Sequence, residues 1–273
     1  MGMKFSICTV DRPLESTSPF PLRGATYEEC AAVAEMLGYD GIELQIQDPS
    51  KYNSRELRAS LANHGLRCSA VTTGLAYLYE GMSMVHPDEK IRLATVERLH
   101  RQLDLAKELD SQILIGYLRG RKAPGQTDQE FEDILTDSVS RVLEYAEQIR
   151  TPVVMEQINR NDGDVFCTTE RTMTFLEKFH SDLLLYNGDT YHMITEDHDV
   201  PGAIRRSLSK LVLFHVSDEG RLLPDDAHFD FYEAAETLKI AGYDKWVSIE
   251  AKPEPTSFEA ARRGLQYLRS VFG

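Results

Sequence analysis

"AGYDKWVSIEAKPEP", residues 241–255, runs from a helix end into a strand that finishes on a carboxylate, and its reading decides the fold. Gly242 follows an amphipathic segment ending near Ile240, the position where a left-handed C-cap is commonly filled by glycine. Trp246, Val247 and Ile249 then form a run apolar on both alternations, with Glu250 at its tip. Residues 37–46, "LGYDGIELQI", repeat the phrase with Gly38 in the same place. A helix-to-strand turn that recurs before buried strands is expected where parallel strands are covered by helices on both faces.

Working outward, strand candidates are "FSIC" (5–8), "GIELQI" (41–46), "CSAVTT" (68–73), "QILIGYL" (112–118), "PVVMEQI" (152–158), "LLLYNGD" (183–189), "LVLFHVS" (211–217) and "WVSIEA" (246–251). Each is followed by a helix-sized segment. Val96, Leu99, Leu103 and Ala106 form a helical stripe within 88–109. Leu135, Val139, Val142, Ala146 and Ile149 form another within 128–149. Capping-box spacings mark helix starts at Thr26/Glu29, Thr127/Glu130 and Thr256/Glu259. Eight βα units in 273 residues, with no Pro/Gly/Ser linker, predict one α/β domain over 1–273, a (β/α)8 TIM barrel. The competing doubly wound sheet lacks a G-x-G-x-x-G after any strand. The repeated "GYD" is then a turn at the barrel's N-terminal face, which leaves the terminal glutamate to be explained.

The formal net charge of −14 disfavours nucleic acid, since phosphate contacts need concentrated Lys and Arg. Cys8, Cys30, Cys68 and Cys167 are scattered and read as reduced thiols of a cytoplasmic protein. No apolar run approaches a membrane span, and no signal segment is expected. "MGMKFS" fits an N-myristoylation pattern, but Lys4–Cys8 reads better as a strand. A homo-oligomer is compatible with the chain, and no sequence feature specifies one.

In a TIM barrel the chemistry sits at the C-terminal strand ends. Strand five ends "VVMEQINR" and presents Glu156, Asn159 and Arg160. Strand six ends "LLLYNGDTYHM", with Asp189 and His192. Strand seven ends "LVLFHVSDEGR", with His215, Asp218 and Arg221. Strand eight brings Glu250 and Lys252. Neighbouring strands lie about 4.8 Å apart, so Glu156, Asp189, His215 and Glu250 can converge on one point. Three carboxylates and an imidazole suit a hard divalent ion, Mn²⁺ first, with Mg²⁺, Co²⁺ or Zn²⁺ as alternatives. Without a cation the carboxylates repel, and one must take up a proton. His192 and Asp218 read equally as ligands or as supports for ligands, and His228 could approach the site. Glu43, in the echoed "GIEL", reads as an internal polar contact. Arg119, Arg121 and Lys122 in "YLRGRKAPG", with Arg160 and Lys252, could cradle a phosphate; the alternative is a solvated basic loop.

With "GYDGIEL", "MEQINR", "GDTYHM", "FHVSDEGR" and "GYDKWVSIE" assembled, the whole chain resembles the sugar phosphate isomerase/epimerase family of xylose isomerase-like TIM barrels. It looks most like the D-tagatose 3-epimerase and L-ribulose- or L-xylulose-5-phosphate 3-epimerase type. The resemblance implies that Glu156, Asp189, His215 and Glu250 bind one divalent metal and that His192 and Arg221 contact substrate. Two positions depart from the family pattern. Asp162 stands where the family has a glutamate that reaches the sugar's distal hydroxyls, and "DDAHFD" (225–230) replaces a G-x-G-x-x-D loop.

The expected reaction is C3 epimerisation of a ketose or ketose phosphate. A metal would act as Lewis acid on the developing enediolate, while Glu156 and Glu250 move the proton on opposite faces. The same groups would serve an aldose–ketose isomerase of hydroxypyruvate isomerase type. Two other classes are an abasic-site metallonuclease, which would want more histidines and a basic rim, and a non-catalytic sugar-binding barrel.

Overall fold

A computed structural model describes residues 2–225 and 228–273. Eight parallel strands close into a barrel: β1 (Lys4–Val10), β2 (Gly41–Gln45), β3 (Arg67–Thr72), β4 (Ile113–Ile115), β5 (Val153–Glu156), β6 (Leu184–Asp189), β7 (Leu211–Val216) and β8 (Trp246–Ile249). Each pairs with the next, and β1 pairs with β8 from Lys4↔Trp246 to Ile7↔Ile249 to complete the ring. An additional two-residue strand, Leu22–Arg23, pairs in parallel beside the C-terminal end of β1. Within the described residues no helix is long and apolar enough to cross a membrane.

The helices form where the patterns predict them. Glu89–Glu108 buries Val96, Leu99, Leu103 and Ala106, and Asp128–Ile149 buries Leu135, Val139, Val142 and Ala146. Thr127 and Glu130 form a reciprocal capping box. At Thr256 only half of the box forms, because Glu259 turns its carboxylate to Arg262. Gly38 (φ 94°) and Gly242 (φ 68°) adopt the left-handed conformation that ends the preceding helix, so the "GYD" turns are as expected. Met1, Asp226 and Ala227, parts of the "MGMKFS" and "DDAHFD" stretches, lie outside the described residues.

Strand four is shorter than its apolar run. It stops at Ile115, and Gly116 turns the chain into a 3-10 turn at Tyr117–Arg119. Glycine suits this position because a Cβ there would stand 2.6 Å from Glu156 Oε2. Most of the core lies between barrel and helices. A smaller cluster, Ala70, Leu114, Val154 and Leu213, precedes Thr72, Gly116, Glu156 and His215 by two residues each. With the two-residue strand period, this cluster is an apolar floor beneath the polar layer at the mouth.

Candidate active site

Strand register brings the polar layer together. Glu156 pairs across the ladder with Asn187, and Asp189 pairs with His215. The second pairing depends on a bulge: Tyr186 faces Leu211 but Asn187 faces Leu213, so β7 carries one extra residue that advances His215 to the level of Asp189. His215 Nδ1 lies 3.3 Å from Glu156 Oε1 and 3.3 Å from Glu250 Oε2. Asn187 donates through Nδ2 to Glu156 Oε1 at 2.7 Å, and the same nitrogen is 3.2 Å from His215 Nδ1. Asp189 caps the helix Thr190–Glu196 by accepting the Tyr191 N–H on Oδ1, which leaves Oδ2 for the site. One donor atom from each of Glu156, Asp189, His215 and Glu250 lies within 4.8 Å of the other three.

Arg221 is the cation among these carboxylates. It is buried and held at φ 61°, a strained conformation for a non-glycine residue. Its Nη1 donates to Asp189 Oδ2 at 2.5 Å and sits 2.7 Å from Glu250 Oε2, while its plane covers Tyr191 at 4.2 Å. Burial opposes its charge, but Asp189 and Glu250 outweigh burial and raise its pKa. The two carboxylates fare differently. Burial pushes Asp189 up to about 8, against the pull of Arg221, whereas Arg221 and His215 overcome burial at Glu250 and hold it well below the carboxylate range. His215 is raised, because Glu43 and Glu250 outweigh its burial. His192 is lowered well below its usual value, by burial first and then by Arg221, and is neutral.

These donors fit a divalent metal. Glu250 Oε2 is buried and makes no hydrogen bond of good geometry despite its close approach to Arg221. An oxygen left in that state in a cluster of three carboxylates and one imidazole is what a bound divalent cation would satisfy.

The remaining sequence-predicted residues divide. His192 joins the site: its Nε2 is 3.1 Å from Arg221 Nη2 and 3.7 Å from Asp189 Oδ2, and its Nδ1 accepts the Asn159 N–H at 3.1 Å. Asn159 is wholly buried and shapes its own loop, with Oδ1 accepting from the N–H groups of Asn161 and Asp162. Asp162 is half-buried and lines a crevice with Tyr77, Tyr117 and Arg121. Asp218 is buried and accepts the Glu219 N–H, and His228 Nδ1 is 3.4 Å from it. Both lie beside the β7 loop and outside the ligand cluster.

The expected phosphate cradle loses Arg119. Arg119 is fully buried and donates to the backbone carbonyls of Glu156, Ile158, Val165 and Phe166, so it presents no donor to a ligand. Arg121 pairs with Asp164 at 3.1 Å and Lys122 with Asp128 at 2.6 Å. Arg160 turns outward to a bidentate contact with Glu196. Lys252 is half-buried, and its backbone N–H donates to Arg221 O.

Two groups of residues escaped the sequence reading. Asn187 stands two positions before Asp189, so the strand period alone puts both on one face. The other side of the cleft comes from the early strands and their loops: Pro19, Phe20, Gln45, Thr72, Leu78 and Tyr117 line it opposite Glu156, Arg221 and Glu250. No charged motif marks that wall, which is made of neutral strand-end and loop residues.

Residues 30–271 match the family described as xylose isomerase-like TIM barrel. The chain is 26% identical to a ketose 3-epimerase of Arthrobacter globiformis, over 78% of this chain and 73% of that protein. It is also 26% identical to an L-ribulose 3-epimerase of Mesorhizobium japonicum, over 82% and 75%. Among solved structures, an L-ribulose 3-epimerase superposes with a TM-score of 0.83 at 19% identity, covering 99% of this chain and 94% of that one.

Proposed function

The chain belongs to the xylose isomerase-like TIM-barrel family, and from that premise we propose that it is an isomerase, a metal-dependent ketose 3-epimerase. The observation that carries this is the approach of two carboxylates, from strand ends five and eight, to one ring nitrogen of His215. Glu156, Asp189, His215 and Glu250 would hold the metal, with Mn²⁺ the ion best suited to three oxygens and one nitrogen. Bound there, a divalent ion supplies Lewis acidity toward the oxygens flanking the reacting carbon. Glu156 and Glu250 are the proton carriers: one removes the C3 proton, and the other returns a proton to the opposite face. Arg221 and neutral His192 orient the substrate's oxygens, and the apolar wall of Phe20, Leu78 and Tyr117 limits water at the carbanionic centre.

The substrate is a non-phosphorylated ketose, since Arg121, Lys122 and Arg160 each have a carboxylate partner and Arg119 is occupied by carbonyls. The net charge of −14 fits a small neutral substrate better than nucleic acid. Residues 1–273 act as one catalytic domain, and four free thiols fit a reducing, cytoplasmic setting. An aldose–ketose isomerase is the second reading, because the same two glutamates could move a proton between C1 and C2.

The test uses metal-stripped protein restored with Mn²⁺, offered ketoses and ketose phosphates in D₂O and followed by NMR. Deuterium at C3 of a free ketose is expected. Label at C1 or C2 would select the isomerase, and turnover without label would reject proton transfer by the glutamates. Glu156→Gln and Glu250→Gln should each lower kcat by roughly 10²–10⁴-fold.

A further inference from the structure

Glu43 lies on β2, inside the barrel, with no exposure to solvent. Its two oxygens have different partners. Oε2 is 3.0 Å from His215 Nε2, across 172 residues of sequence, and Oε1 accepts from the Cys8 thiol at 3.2 Å. Strands β2 and β7 are not neighbours in the sheet, so the contact crosses the barrel interior. His215 thus meets Glu43 with one ring nitrogen and the Glu156–Glu250 cluster with the other.

We propose that Glu43 is the positioning residue of the metal site: it accepts the Nε2–H of His215, and so fixes the ring with Nδ1, the nitrogen that a bound cation would take, facing Glu156, Asp189 and Glu250. The inference rests on the metal reading given above and adds a residue to it. Asn187 supports the same ring placement independently. Its Nδ2 donates to Glu156 Oε1 at 2.7 Å and lies 3.2 Å from His215 Nδ1, so it holds that carboxylate beside the ring nitrogen. The carboxylate of Glu43 further raises the ring's basicity as a ligand.

Cys8, Glu43 and His215 also place donor atoms close enough to be considered as a metal site of their own. Their chemistry argues otherwise. Both Glu43 oxygens are hydrogen-bonded, and burial, with Glu43 beside it, keeps the Cys8 thiol protonated. A protonated thiol is a poor ligand. The trio is therefore a support behind the His215 ring.

Mn²⁺ binding to metal-stripped wild type, Glu43→Gln and Glu43→Asp, read from the EPR signal of free Mn²⁺, tests the inference. Wild type should bind one ion, and Glu43→Gln should bind it roughly 10–100-fold more weakly. Glu43→Asp, which keeps the charge, should recover part of the loss. A second measurement needs no variant: long-range ¹H–¹⁵N spectra of Mg²⁺-loaded wild type should place the His215 proton on Nε2. A proton on Nδ1, or equal Mn²⁺ affinity in wild type and folded Glu43→Gln, overturns the role of Glu43 and leaves the metal site standing. Failure of wild type to bind Mn²⁺ at all overturns the metal reading itself, and this inference with it.

Discussion

Arg119 and Arg221 are both buried beside the barrel mouth, each in a 3-10 turn after a strand, yet they do opposite work. Arg119 is surrounded by backbone carbonyls, and burial without a carboxylate partner lowers its pKa to about 10. Arg221 touches Asp189 and Glu250, which raise its pKa despite burial. Carbonyl dipoles fix a guanidinium as a staple between loop 157–166 and the end of β5. Carboxylates instead make it one of the charges that the site must balance. The partners, and not the burial, separate an arginine that staples loops from one paired with the carboxylates of the candidate site.

The largest effect that could break this comparison is on turnover. Arg221→Leu should lower kcat/KM on the order of 100–1,000-fold, the usual loss when a preorganised donor is removed from a polar site. The Mn²⁺-loaded variant should remain folded by circular dichroism; normal turnover would return Arg221 to the structural class. Next comes stability. Arg119→Met strands the carbonyls of Glu156, Ile158, Val165 and Phe166, and urea denaturation should show about 3 kcal/mol less stability. The remaining folded enzyme should keep its preference between free and phosphorylated ketoses. A changed preference would put Arg119 back at the ligand.

The smallest effect is a pH dependence that only the Arg221 environment should show. Asp189 is raised by burial to about 8, above its unfolded value of about 4, so the folded state favours its protonated form. Stability from that proton is complete below about pH 4 and is lost as pH rises through about 8. In EDTA, melting temperature should therefore fall over this range by a few degrees more in wild type than in Asp189→Asn. Added Mn²⁺ should restore it most at high pH, where the carboxylate is ready to bind. Identical slopes in the two proteins would show that Asp189 is ionised throughout. Arg119→Met should leave the wild-type slope intact, since Arg119 stays charged across the range.

The glutamate that ends "GYDKWVSIE" was legible because it is one of four polar side chains, with Glu156, Asp189 and His215, that close four successive apolar strands. Its echo in "GYDGIEL" was legible only as a polar contact. Strand alternation puts Glu43 inside the barrel, but finding His215 as its partner requires knowing which strands face each other across the interior. The basic loop is hard to divide for a similar reason: Arg119 and Arg121 look alike in sequence, and their partners lie about 40 residues away. Strand four looked longer than it is because its apolar run continues past Gly116 into the turn at Tyr117–Arg119.

The sequence by itself determined the eight βα units, the left-handed glycines of the repeated turns and the four polar side chains at successive strand ends. Those follow from local forces: periodic burial, backbone propensity and the short reach between adjacent strands. Only the tertiary structure decided which nitrogen of His215 faces Glu156 and Glu250, that Arg221 lies between Asp189 and Glu250, that Arg119 is enclosed by backbone carbonyls, and that Arg160 pairs with Glu196. These depend on ring closure and on the bulge in β7, which bring together groups up to 172 residues apart through contacts that no local pattern encodes.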